Sequence, residues 1–240
     1  MEPLRFVVYS DYLCPWCYNA AVRLDRLERE SGGSVELIWR SYLLRPSPTP
    51  GRDLEKFRSY TRSWLRPAEE PDSGEFRVWQ GDAGPPSHSV PPHRVAKAAA
   101  SLGDEAFRRI HPRLLHAYFA ENRDISDPAV LRCVWSEAGL PDSEFARSED
   151  PSLLEQVVAE HREALDSGVT GVPAVRLEGN DAVIVGAHPL ALYRRWVERM
   201  HGRSERGRDR LTRETEFSFG GARLRSGVPV RAKGGGAADR

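Results

Sequence analysis

Sulfur is scarce in this chain, with three cysteines and two methionines among 240 residues. So few cysteines exclude the disulfide framework of a small secreted domain. Net charge is missing too, because 35 Lys and Arg are matched by 35 Asp and Glu. That balance gives no reason to expect nucleic acid, an acidic substrate or a membrane surface as partner. No apolar run approaches the roughly 18–20 residues that span a bilayer. Met1-Glu2-Pro3-Leu4-Arg5 leads straight into an apolar run and leaves no room for a signal peptide. A soluble, cytoplasmic globular protein with a sizeable core is the expectation.

Two of the three cysteines stand together. Cys14-Pro15-Trp16-Cys17 closes the run Phe6-Val7-Val8-Tyr9 and opens a helical pattern through Ala20, Ala21, Leu24 and Leu27. At a strand-to-helix junction, the unpaired N–H groups and positive dipole end favour a thiolate at the first cysteine. The second lies one turn deeper, within reach to resolve a mixed disulfide.

Strand patterns cover Phe6 to Tyr9 and Val35 to Tyr42, with Ser31-Gly32-Gly33 ending the helix between them. Leu54 to Trp64 reads as a helix with Leu54, Phe57, Tyr60, Thr61 and Trp64 on one face. Residues 67–92 hold six prolines and three glycines, which marks a loop or lid. Helices are expected at Pro92 to Leu102, Glu105 to Ala120, Pro128 to Ala138 and Pro151 to Leu165. Asp127-Pro128 and Asp150-Pro151 each set an N-cap acceptor before a proline at the first helical position. The period then changes to strands at Gly171 to Leu177 and Ala182 to Val185, joined by the tight turn Glu178-Gly179-Asn180-Asp181. A last helix spans Pro189 to Met200, with Leu190, Tyr193, Trp196 and Val197 inward.

The order is β-α-β, a long helical stretch, then β-β-α. That is an α/β, thioredoxin-like fold with a mixed sheet and an inserted helical domain. Residues 1–50 and 168–202 would form the discontinuous thioredoxin-like domain, and 51–167 the insertion. Residues 203–240 carry ten Arg or Lys against five acids, a net of +5 that leaves −5 for the rest. They read as a basic, disordered tail with a transient strand at Glu214 to Phe219.

Cys14 and Cys17 are read as a thiol–disulfide exchange pair. A zinc half-site would need two more ligands. Cys133 has no Cys partner, and neither His88/His93 nor His111/His116 is spaced around it, so no metal is expected. Pro15 stiffens the loop and Trp16 puts a large apolar surface at its mouth, either for substrate or for packing. Tyr12 and Tyr18 flank the pair, within reach of the sulfurs. Asp11 would oppose a Cys14 thiolate if close and charged. Val172-Pro173, after Gly171, is a place for a cis peptide bond. In this fold that loop lies beside the cysteine pair, and its free backbone groups can hold an extended substrate. Cys133, among Val130, Leu131 and Val134, is expected as a buried, inert thiol. The histidines are expected at the surface or at caps.

The runs Tyr9 to Tyr18, Arg40 to Pro46, Ala117 to Phe119, Asp124 to Asp127 and Gly168 to Pro173 together resemble the DsbA family, in its FrnE-like cytoplasmic branch. The resemblance covers about residues 4–200. It implies a thiol–disulfide oxidoreductase with Cys14 as nucleophile, Cys17 as resolving thiol and Pro173 as cis-proline. Partners would be protein or small-molecule thiols and disulfides, with no cofactor beyond the redox pair and glutathione as a candidate co-substrate. Periplasmic members carry a signal sequence and often His in the dipeptide, and this chain has neither. The alternative is a glutathione-dependent isomerase of the 2-hydroxychromene-2-carboxylate type or a kappa-type glutathione transferase. Those relatives present a single Ser or Cys, so Cys17 discriminates.

Overall fold

The computed structural model describes residues 2–202 apart from 50 and 181. Residues 203–240, with the strand expected at Glu214 to Phe219, lie outside the described residues. Phe6-Val7-Val8-Tyr9 forms the middle of strand β1 (Leu4–Ser10) and is almost wholly buried. A strand covered on both faces reads as a continuous apolar run. Val7 and Tyr9 join Ala164, Val169 and Ala174 in one cluster. Phe6, which the strand alternation turns to the opposite face, meets Trp196 edge-on at 4.8 Å.

Helix α1 (Pro15–Glu30) carries the chain across to β2 (Val35–Ser41), which pairs with β1 in parallel. Strands β3 (Ala174–Leu177) and β4 (Val183–Val185) return as an antiparallel hairpin on the other side of β1. The sheet order is β2-β1-β3-β4, and the sheet is mixed as expected. A final helix, α8, starts at 190, with Leu190 and Tyr193 buried and Trp196 and Val197 half-buried.

Between β2 and β3 come α2 (Leu54–Thr61), α3 (Leu65–Ala68), α4 (Val90–Ala100), α5 (Asp104–Phe119), α6 (Pro128–Glu137) and α7 (Pro151–Asp166). Asp127 and Asp150 cap α6 and α7, accepting from Ala129 N–H at 2.7 Å and Ser152 N–H at 2.9 Å. A large apolar cluster joins α4, α5 and α6 to Tyr12, Leu13, Tyr18 and Ala21 at the start of α1. These helices therefore pack on the cysteine loop itself.

Several expectations shift. The helix expected over Leu54 to Trp64 tightens into a 3-10 turn at Arg62–Trp64 and resumes as α3. Tyr60 is 53% exposed, whereas Phe57, Thr61 and Trp64 are buried and Leu54 is half-buried against the core. A 3-10 stretch at Asp142–Glu149 had no signal. Cys133 is exposed, not buried. Leu131, Val134, Trp135 and Ala138 make the inner stripe of α6, and Cys133 falls on the other side. His93 and His111 are buried rather than at the surface. Residues 69–89 contain no helix or strand, yet they are tied down: Gly74 N–H donates to Asn19 Oδ1 at 3.0 Å and Trp79 N–H to Thr61 Oγ1 at 3.0 Å.

Candidate active site

The C-terminal end of β1, the first turn of α1 and the first residue of β3 meet at one end of the sheet. The register sets Tyr9 opposite Ala174, so Pro173 lies beside the segment that leads into the cysteines. Cys14 is the N-cap of α1, in extended conformation (φ −96°, ψ 115°), and Pro15 takes the first turn, where no N–H is needed. Its carbonyl accepts from Cys17 N–H at 3.0 Å. The Cys14 side chain makes no capping hydrogen bond, so its sulfur sits at the positive end of a 16-residue helix.

Both site cysteines are free thiols. Cys14 is 5% exposed and Cys17 fully covered. Burial pushes the Cys17 thiol well above its ordinary pKa, and the adjacent Cys14 adds to the rise. The Asp11 backbone and the Ser10 hydroxyl pull the other way. The outer thiol can therefore attack while the inner one stays protonated until a mixed disulfide forms.

The Val172-Pro173 peptide bond is cis. The Cys14 sulfur sits 3.4 Å from the Val172 carbonyl oxygen and donates to it. The structure thus brings Cys14, Cys17, Val172 and Pro173 together. Pro15 and Trp16 are half-buried at the mouth, and Trp16 stands outside the large apolar cluster of the helices.

The flanking tyrosines turn away from the sulfurs. Tyr12 pairs its hydroxyl with His111 Nδ1 at 2.7 Å, and Tyr18 packs on Phe76 and Phe119. His93 faces the Tyr12 ring at 4.9 Å. Burial pushes both imidazoles down to about 3, so both are neutral. The spacing Phe107, Ile110, His111, Leu114, Leu115 marks His111 as an inner position. Asp11 also emerges as a buried hub, which the sequence does not signal.

The DSBA-like thioredoxin domain family matches residues 5–197. The chain belongs to this family. It is similar to YwbO of Bacillus subtilis (strain 168), 27% identical over 191 residues that cover 75% of this chain and 88% of that protein. Among solved structures it is similar to the cytosolic disulfide reductase DsbM from Pseudomonas aeruginosa, with a TM-score of 0.65 and 20% identity over 84% of this chain and 99% of that one. DsbM has also been solved with GSH. SCO1869 from Streptomyces coelicolor, described as a probable DsbA oxidoreductase, gives a TM-score of 0.66 at 24% identity, covering 83% of this chain and 90% of that one. At these identities the solved structures support the fold. No described helix of this DsbA-family chain is long and apolar enough to cross a membrane.

Proposed function

We propose that this DsbA-family protein is a dithiol–disulfide oxidoreductase that reduces protein or small-molecule disulfides in the cytoplasm. The carrying observation is an N-cap thiol, Cys14, with a second, buried thiol one turn behind it. The Cys14 thiolate attacks a substrate disulfide R–S–S–R′, forms a Cys14–S–S–R bond and expels R′–S⁻, which takes up a proton. Cys17 gives up its proton and attacks the Cys14 sulfur, closing the Cys14–Cys17 disulfide and releasing R–S⁻, which is protonated in turn. Two electrons pass from the pair to the substrate, and two molecules of a cellular thiol restore the dithiol while forming their own disulfide. The Val172 carbonyl and Pro173 would line the groove for the substrate chain, with Pro15 and Trp16 at its rim.

The cytoplasmic setting is supported by the fold shared with DsbM, and the FrnE-like branch by the sequence runs quoted above. Glutathione is the proposed reducing thiol, supported by the structure of DsbM with GSH. The domain reading, with 51–167 inserted into a thioredoxin-like unit of 1–50 and 168–202, belongs to the same proposal.

Insulin reduction by wild type and Cys14→Ser tests the assignment, and equal rates would end it. A Cys17→Ser variant is expected to accumulate mixed disulfides that name the substrate. Saturable glutathione binding with full activity in that variant would instead favour the isomerase alternative.

A further inference from the structure

Three stripes of side chains meet between α1, α5 and β2. Tyr18, Ala21, Val22 and Asp25 follow the helical period on α1, Phe107, His111 and Leu115 follow it on α5, and Leu37 and Trp39 share one face of β2. Together they enclose a cavity of about 340 Å³. That volume is at the small end of the range for ligand sites. The floor is apolar, made by Ala21, Val22, Leu37, Trp39, Phe107 and Leu115. The rings of Trp39 and Phe107 lie 4.3 and 5.0 Å from that of His111, so one wall is aromatic. Cys14, Cys17, Val172 and Pro173 do not line this cavity. Its rim at Asp25 lies roughly 12 Å further along α1 than Cys17, at about 1.5 Å per residue.

The rim is charged and mainly acidic. Asp25, Glu28, Glu36 and Asp104 stand against Arg29 and Arg108, four carboxylates to two guanidiniums. Both guanidiniums are already engaged, Arg29 with Asp25 at 2.8 Å and Arg108 with Glu28 at 2.5 Å. Arg5, which is not part of the lining, meets Glu36 at 3.3 Å, and the rim stays negative even with Arg5 counted. Asp104 is exposed and makes no ion pair among the described residues. The α5 wall adds an acceptor. Pro112 stands inside α5 without an N–H, so the Arg108 carbonyl one turn earlier lacks its usual intrahelical donor, and both residues line the cavity.

We propose that this cavity is a second binding site, separate from the dithiol, for a flat apolar cation of the protonated aromatic-amine class. Its ring body covers the apolar floor and faces Trp39 and Phe107, where a cation is attracted by the ring faces. Its N–H groups turn to Asp104 and to the Arg108 carbonyl. Glutathione is anionic at pH 7 and is opposed by the same rim, so the site is not a second seat for the proposed reducing thiol. The inference goes beyond the oxidoreductase reading and does not depend on it.

The test is a fluorescence-anisotropy titration of proflavine, a flat cation at pH 7, with the full-length chain at low salt. Saturable binding of one equivalent is expected. The apolar anion 1-anilinonaphthalene-8-sulfonate should bind at least about tenfold more weakly, because the rim repels it. Val22→Trp places an indole on the floor and should weaken proflavine binding by about tenfold or more. Asp104→Asn, at an exposed position that leaves the packing alone, should weaken it roughly 2–5-fold, as expected for one surface charge. Cys14→Ser should bind as wild type does, which separates this site from the dithiol. Absence of saturable binding, equal affinity for the anion, or loss of binding in Cys14→Ser would each overturn the proposal. So would unchanged affinity in Asp104→Asn, even if Val22→Trp failed to fold.

Discussion

The Cys14 sulfur lies 3.4 Å from the carbonyl oxygen of Val172, 158 positions further along the chain. This contact joins the two ends of the fold, because β1 leads into one partner and the other leads into β3. It also leaves Cys14 at a shallow surface, with Cys17 enclosed behind it.

The three thiols should therefore separate by accessibility. Cys133 is exposed, Cys14 is 5% exposed at a helix N-terminus, and Cys17 is fully covered with its thiol held protonated. In native protein, mass spectrometry after timed alkylation is expected to find Cys14 and Cys133 modified. Cys17 should lag by about 100-fold or more until denaturant is added, given how strongly thiolate fraction and access control the rate. Labelling of Cys17 as fast as Cys14 would contradict the buried arrangement.

A buried ion pair ties α4 and α7 to β2. Lys97 on α4 meets Glu160 on α7 at 2.7 Å, and Glu160 also accepts from Ser41 N–H at 2.7 Å. Glu160→Ala should cost about 3–5 kcal/mol in urea denaturation, because Lys97 is left charged and unpaired. The double variant Lys97→Met with Glu160→Leu should recover much of that loss. A single variant with wild-type stability would show that the pair carries no structural role.

Gly74 lies against Tyr18, the residue after Cys17. A Cβ there would come within 2.4 Å of the Tyr18 ring, which is packed and has little room to move. Gly74→Ala is expected to destabilise by roughly 1–3 kcal/mol, as overpacking does. Gly84→Ala is the matched control, since nothing lies within 4 Å of its added Cβ. Similar melting temperatures for the two variants would refute the contact.

His93 and His111 are held neutral by burial, with pKa values lowered to about 3. The unfolded chain takes up protons on them near pH 6.5, so stability is lost as pH falls from about 6.5 toward 3. Asp11 has the opposite sign: its carboxyl is raised to about 6, so acid favours the native state between about 6 and 4. The two histidines together should dominate, by a few kcal/mol at pH 3 to 4. Thermal melts of His111→Gln between pH 7 and 4 should fall less steeply than wild type. An equal slope would place the acid sensitivity elsewhere.

Much of the scaffold was legible because its signals are local. Proline at the first helical position, Asp before proline and the apolar run of β1 each act through neighbours in sequence. The His111 spacing is legible too, yet a histidine is polar by type, which points outward in sequence. Cys133 is exposed for a related reason, since apolar neighbours in sequence do not say which side of a helix faces the core. The loop over 69–89 was recognised by its prolines and glycines, whereas its ties to Asn19 and Thr61 span distances no local pattern carries.

Taken alone, the amino-acid order determined the CPWC junction, the switch from β-α-β to β-β-α and the proline at Val172-Pro173. These depend on backbone propensity and on side-chain period, which are written residue by residue. Only the tertiary structure decided that Val172 meets the Cys14 sulfur, that Tyr12 and Tyr18 turn away from it, and that Asp11 gathers donors from Leu13 and Leu44. A buried carboxylate must find its partners wherever the packed chain brings N–H and O–H groups within reach, and that depends on how distant segments close over it.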